Sequence, residues 1–468
     1  MDGQEVDGRA APQRGLVLAA AASGIGVLIS AGAGAGPVPE AIAVRSAGGP
    51  WNGDVLVAAG LPAMAIVVGL MLVRWWPCLL LAGAALALPA GTMPYLEALQ
   101  SRPTVAHLGT AGAALVLVAV LAAAQELMDG GLAGVGVAVA GCAVGAGLVG
   151  AALTGAAWLS LPWRIDALHL GLTVIALVAA GVAVARMRGT AGRRPGVRVT
   201  VAGALATLVA FLPSAVTLDR VSRLLEVSGD SLARRSYVMV GMLGLATLLV
   251  AGMAAMLAGV WAGTAALAVA AAQAGTAAPM LLGLAASSHH RAFAVVAALV
   301  GLGAGAAAGA TRWRSALAAS GAVSSGLVML LLVAATGGTP EKLVTQARWI
   351  PAGLLLALLV ATVTCAVAAV APAAARRGGA AAVLGPIAGG LAIGGREALT
   401  LTQLDDGQAE SSYLSSVHHL GSSAVLLFLA ALLVAFLAAA RFLLAQRNRD
   451  AASDDVPSAG RSPSPENS

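Results

Sequence analysis

Charge, cysteine, aromatic rings and nucleotide-binding motifs are all scarce or missing in this chain, and each scarcity removes a class of protein. Charged residues make up 10 % of its 468 positions, against about a quarter in soluble domains. With 59 % hydrophobic residues and a mean hydropathy of +0.89, a water-soluble domain of this size is excluded. Three cysteines, Cys78, Cys142 and Cys365, all fall inside apolar runs. That placement excludes a disulfide framework, and no metal-ligand spacing involves them. Aromatic residues are 3 % of the chain, so the apolar runs are built from Ala, Gly, Val and Leu. No P-loop and no kinase or hydrolase signature occurs, and GLGAGAAAG at 301–309 lies inside an apolar run without βαβ context. The chain is therefore read as no enzyme, with no cofactor and no metal site.

What the sequence does have is long uncharged runs, among them 15–36, 55–73, 104–125, 199–218, 237–258, 315–336 and 421–440. Each supplies the roughly 18 to 25 apolar residues that cross a hydrocarbon core about 30 Å thick. Fourteen such spans are counted, which predicts an all-α, polytopic transmembrane helix bundle. The span at 378–395 is short and glycine-rich. The net charge of +6 does not indicate a nucleic-acid partner, because the arginines sit in short inter-helix loops and no basic soluble domain exists.

Those arginines set the orientation instead. Arg186, Arg188, Arg193, Arg194 and Arg198 follow the sixth span, Arg312 and Arg314 the tenth, Arg376 and Arg377 the twelfth, and Arg441, Arg447 and Arg449 the last. The positive-inside rule places all of them, and both termini, in the cytoplasm of a cell-membrane protein. The longer loop 219–236 then faces outward. The predicted organisation is a polar tail at 1–14, a six-helix bundle at 15–186, an Arg-rich linker at 187–198, a bundle of about eight helices at 199–446 and a second polar tail at 447–468. Trp75, Trp76, Trp158, Trp163, Trp313 and Trp349 lie at span ends within four residues of Arg or Pro, where interfacial anchors are expected.

Glycines recur at four-residue steps, as in Gly130/Gly134, Gly141/Gly145, Gly301/Gly305/Gly309 and Gly385/Gly389. Such steps let helix backbones approach closely, and in a chain with 59 glycines they also arise by composition alone. Ionisable residues inside spans usually mark ion or substrate paths. Glu126, beside Gln125 at the cytoplasmic end of the fourth span, is the foremost proton-site candidate, the alternative being a helix-end carboxylate in headgroup water. His107 and His169, near the outer ends of the fourth and sixth spans, titrate near neutral pH and are positioned to pair with an anion or with Asp166; the alternative is a hydrogen bond to backbone. Gln273, Thr276 and Pro279 form a polar, helix-breaking patch in the ninth span. The pairs His289-His290 and His418-His419 read as solvated loop residues.

The stretch HLGTAGAALVLVAVLAAAQELM, with Gly109, Gly112 and Ala113, resembles the fourth helix of the major facilitator superfamily, in particular its fourteen-helix drug-exporter branch. VGAGLVGAALTGAAWLSLPWR resembles that branch's fifth-helix antiporter motif through Gly150 and Gly155, followed by Trp163 and Arg164 at the opening of helix six, and Gly145, Gly150 and Gly155 are the helix-packing candidates of this stretch. Weaker similarities lie at 211–258 and at 405–427 through Gly407, Ala409 and Gly421. The sequence departs from the family in lacking the aspartate of the loop between helices two and three. Val105 and Leu108 stand in place of the fourth-helix Arg and Gln, and Ala151 in place of the antiporter proline. The resemblance implies two helical bundles that rock about a substrate site and export a small amphiphilic or apolar compound, with proton coupling left open by the departures. The other open reading is a transporter-like membrane protein that no longer transports and anchors or regulates a partner.

Overall fold

A computed structural model describes residues 7–34, 53–92, 103–157, 162–187, 196–208, 288–335, 349–376 and 379–388. All regular structure among them is helical. The helices are α1 (Asp7–Gly34), α2 (Gly53–Met71), α3 (Trp76–Thr92), α4 (Pro103–Asp129), α5 (Ala133–Ala157), α6 (Pro162–Arg186), α7 (Val197–Leu208), α8 (Ser288–Ala310), α9 (Arg314–Ala335), α10 (Trp349–Arg376) and α11 (380–388). Proline opens α4 and α6, where its missing N–H has no partner to lose and its fixed φ suits the first turn. The turn from α4 to α5 needs glycine. Gly131 sits at φ +88°, and Leu132 N–H donates to Leu127 O at 2.9 Å while Gly131 N–H donates to Met128 O at 3.4 Å. That pair of bonds is a Schellman close, which stops α4 three residues after Glu126.

Six of the described helices are long and apolar enough to cross a membrane: α1, α4, α5, α6, α8 and α10. A seventh crossing is made if α2 and α3 form one broken span, since they meet at 89° across the short 3₁₀ turn Val73–Trp75. The expected second and third spans thus meet at a sharp elbow. Helix α6 shows what surrounds the bundle. His169, Thr173, Ala176, Ala180 and Ala183 follow one another at helical spacing and are buried, while Leu168, Val174, Ile175, Val178 and Val182 are exposed. A helix whose larger apolar side chains face outward and whose small and polar ones face inward is solvated by lipid. The protein is a multi-pass helical membrane bundle.

Helix α4 is the most enclosed, packed by α1, α2, α3 and α5. Helix α5 touches α1 and α4 on one side and α8 and α10 on the other, so it joins the two halves of the chain. The glycine steps locate these seams. A Cβ on Gly301 or Gly305 would collide with the backbone of α10 at Ala357 or Ala361, and one on Gly141 or Gly145 would collide with Thr364. Gly303, on the other face of α8, has open space. The periodic glycines of α5 and α8 therefore mark real backbone contacts, each stripe aimed at α10. Gly83 of α3 and Gly112 of α4 meet in the same way, with a Cβ on Gly83 reaching 2.8 Å from Gly112 O.

Helix α11 lies within the segment expected to span at 378–395. Every residue from 379 to 388 is buried. The Ala382 carbonyl of α11 lies against Gly203 of α7, and a Cβ on Gly385 would come within ordinary contact of Val118 of α4 and Ile66 of α2. A short element of the C-terminal half is thus enclosed by helices of both halves.

Candidate functional site

Two polar sites interrupt the apolar interior of the N-terminal bundle, and α3 carries a partner for each. The first lies where α3 begins. Trp76 is 0 % exposed, and its indole Nε1–H donates to Glu126 Oε2 at 2.6 Å. Glu126 is half-buried. The carboxylate expected at a helix end is therefore taken into the bundle and held by a donor fifty residues away in sequence. Trp76 is a correction to the sequence reading. It is no interfacial anchor, because it faces inward from the elbow, whereas its neighbour Trp75 is 43 % exposed and carries the Arg74 guanidinium 4.7 Å from its ring centre. Trp313, with Arg312 at 5.3 Å, also has the exposed setting of an anchor. The buried Nε of Arg74 has no hydrogen-bond partner.

Gln125 precedes Glu126 and is 7 % exposed. Its Oε1 accepts the backbone N–H of Ala380 at 2.9 Å. Ala380 opens α11, and the first N–H groups of a helix have no partner inside it, so the carboxamide fills the place of a capping side chain. Two successive residues of α4 thus hold an ionisable group and a hydrogen bond to the C-terminal half.

The second site is centred on His169 of α6, which is 1 % exposed. Nε2 lies 3.2 Å from the carbonyl of Ala87 on α3, and Nδ1 lies 2.8 Å from Oγ of Ser30 on α1. A carbonyl only accepts, so Nε2 carries a proton and donates to it. Gly26, one turn before Ser30, lets α1 come close to α6; a Cβ there would be 3.2 Å from Leu172, three residues beyond His169. Thr173 donates to the His169 carbonyl at 2.7 Å and so needs no other partner. Along α3 the two sites are separated by the eleven residues from Trp76 to Ala87, about 16 Å of helix. Ser30 lies near the end of α1, Ala87 near the end of α3 and His169 near the start of α6, which puts this site toward the opposite end of the bundle from Glu126.

The remaining candidates divide by where they fall. Arg164 and Asp166 stand in the first turns of α6 and His107 in the first turns of α4; their side chains lie outside the described residues. His169 is bonded to Ser30 and a backbone carbonyl, and of its two expected partnerships the backbone one is present. Gly145 packs on Thr364 of α10, Gly150 is buried in α5, and Gly155 is in the last turns of that helix. Gln273, Thr276 and Pro279 lie outside the described residues, as do His418 and His419. His289 and His290 begin α8 and are helical, where a loop was expected. Among the described residues no three of His, Cys, Asp and Glu gather to hold a metal.

Ser30 was not singled out in the sequence, and neither was the Trp76 indole as a partner for Glu126. The available signal was a serine among apolar residues near the end of the first span. Its partner is 139 positions away, beyond the reach of any local pattern. Compared with known proteins, the chain matches no family model and no curated protein.

Proposed function

We propose that the protein is a secondary membrane transporter that exports small amphiphilic or apolar compounds by alternating access. The observation that supports this most is the Gln125-Glu126 pair. One residue holds the N-terminal half to α11 and the next is a half-buried carboxylate, so a change of charge at Glu126 acts on the turn of α4 that joins the halves. An alternating-access machine needs a charge-sensitive group coupled to a seam between moving parts. Around that seam the helices are lined by Ala, Gly, Val and Leu, surfaces that select by area and shape.

In this reading the fourteen spans are arranged as two bundles like those of the major facilitator superfamily. Both termini and the Glu126 end face the cytoplasm, and the protein resides in the cell membrane. Reporters fused after Arg194 and after Arg449 should both read inside and one near Gly229 outside; disagreement between the first two would point to 378–395 as a segment that does not cross.

Transport is tested in inverted vesicles with a panel of lipophilic compounds, with and without a collapsed proton gradient. Gradient-driven accumulation that disappears in Glu126→Gln, in a variant that still folds and binds, is the expected result, because the isostere keeps shape but cannot change charge. Accumulation equal to wild type and indifferent to a protonophore removes Glu126 as the coupling group and leaves facilitated diffusion. No transport by either protein under any gradient moves the assignment to a membrane anchor or regulator of a partner.

A further inference from the structure

Ser30 has two neighbours to which its single hydroxyl proton can be given. Its Oγ lies 2.8 Å from His169 Nδ1 and 3.2 Å from the carbonyl of Val27 one turn earlier on α1. We propose that His169 and Ser30 form a proton-binding site in which the serine hydroxyl turns between these two neighbours. The imidazole then keeps both of its hydrogen bonds in the neutral and in the charged form.

The argument is one of donors and acceptors. In the neutral form Nε2–H donates to Ala87 O, and Nδ1, bare, accepts the Ser30 hydroxyl proton. When a proton from water binds Nδ1, that nitrogen becomes a donor, and Ser30 Oγ accepts from it while its own O–H swings to Val27 O. The only covalent bond broken is the O–H of the hydronium that delivers the proton and leaves as water, no side chain changes rotamer, and all three heavy-atom pairs already lie within hydrogen-bonding reach, the Ser30–Val27 pair being the long one at 3.2 Å. A histidine fixed between one carbonyl and one serine without the Val27 acceptor would have only one satisfied state. Here the second acceptor is built into the preceding turn of the same helix.

Among the described residues the charges on the helices that form the site are few. Helix α3 carries none, and those of α1, Asp7, Arg9 and Arg14, lie near its far end, at least sixteen residues from Ser30, about 24 Å along the helix. On α6 itself, Arg164 and Asp166 precede His169 by five and three residues, and Arg186 closes the other end. The described partners of the imidazolium are oxygen dipoles from α1 and α3, and its charge strengthens both hydrogen bonds, since bonds made by a charged donor are stronger. Proton binding here strengthens the two hydrogen bonds that hold α6 to α1 and α3, with the helices left in place.

The test uses the full chain with ¹⁵N-labelled histidine in lipid nanodiscs and follows the imidazole nitrogens from about pH 8 to about pH 4, a range that brackets an ordinary histidine. The chain has six histidines, and the signals of His169 are assigned by their loss in His169→Gln. The expected result is a reversible change in which Nδ1 gains a proton while Nε2 stays protonated throughout. Ser30→Ala, which removes the acceptor of the charged form, should weaken proton binding about tenfold, and Ser30→Thr should restore it. If Ser30→Ala does not fold, Ser30→Cys takes its place with the same expectation, because a thiol is a poor acceptor of nearly the same size. A His169 that stays neutral over the whole range in folded protein overturns the proposal, as does equal proton binding in wild type and the serine variant. The measurement needs no substrate, so its outcome is separate from that of the transport assay.

Discussion

At the beginning of α3 a carboxylate meets one donor, and near its end an imidazole meets two oxygens. The difference lies in what each partner is able to become. The Trp76 indole is a donor only, so it satisfies an ionised Glu126 and offers nothing to the O–H that protonation would add. Ser30 is donor or acceptor as required. A proton arriving at Glu126 removes the charge that strengthens the indole bond and adds an O–H that the indole cannot accept, whereas one arriving at His169 only turns a hydroxyl. The first arrangement suits a group that moves helices, and the second suits a group that records a proton without moving them far. That Gln125 bonds to α11 on the Glu126 side, while both side-chain hydrogen bonds of His169 stay within the N-terminal half, fits the same division.

The strongest way to break this comparison is to disturb both sites at once. Gly83 lies between Trp76 and Ala87 and holds α3 against Gly112 of α4, with backbone on both sides of the crossing. In Gly83→Val the added methyls have nowhere to go unless the helices separate. Overpacking of this kind costs about 1–3 kcal/mol when side chains can yield, and here the obstacle is main chain, so the loss should reach or exceed the upper figure. The melting temperature of purified protein in detergent measures it. Ala82→Val, on the exposed face one residue earlier, is the control and should melt with wild type. Equal melting of Gly83→Val and Ala82→Val would mean that α3 is not fixed by that crossing.

A smaller effect separates the two sites. Trp76→Phe keeps most of the ring volume and removes the N–H, leaving the Glu126 carboxylate half-buried without its donor. An unsatisfied buried group costs about 1–3 kcal/mol, and the partial exposure of Glu126 puts the expectation toward the lower end. In the Glu126→Gln background the same change should cost less, because the carboxamide has its own donors and carries no charge. The coupling between the two substitutions, read from the four melting curves, isolates the hydrogen bond from the packing of the ring. Additive effects would show that Trp76 serves only to fill space. The His169 spectrum should be unaltered in both single variants, since that site shares only the far part of α3.

How much of this could be read from the sequence follows from the range of the interactions. The runs 15–36 and 104–125 anticipate α1 and α4 to within a few residues at several of their ends, because hydropathy is a local property and lipid acts on each segment separately. Glu126, Gln125 and His169 stood out for the same reason, as polar residues where polar residues are costly. Their partners did not. The Ala87 and Val27 carbonyls have no sequence signature, Ala380 N–H is offered only because α11 begins there, and Ser30 is one serine among many. The glycine steps occupied a middle position. Gly301 and Gly305 face α10 while Gly303 faces open space, and only the second helix decides which stripe is a seam.

The smallest expected effect concerns the other tryptophan of the elbow. Trp75 and Trp76 are adjacent and identical in type, and no local pattern distinguishes them. The 3₁₀ turn Val73–Trp75 ends between them, and the 89° change of direction sends one ring inward and the other out. Trp75 is 43 % exposed and touches the Arg74 guanidinium, a pairing suited to the membrane surface. Trp75→Phe keeps an aromatic ring there and removes no buried hydrogen bond, so its stability should stay within about 0.5 kcal/mol of wild type, clearly less than Trp76→Phe in the same melting measurement. A Trp75→Phe loss as large as that of Trp76→Phe would show that both rings are packed into the joint. The elbow would then be a rigid corner of the core, and Glu126 would be held by the shape of the whole turn with the indole N–H adding little.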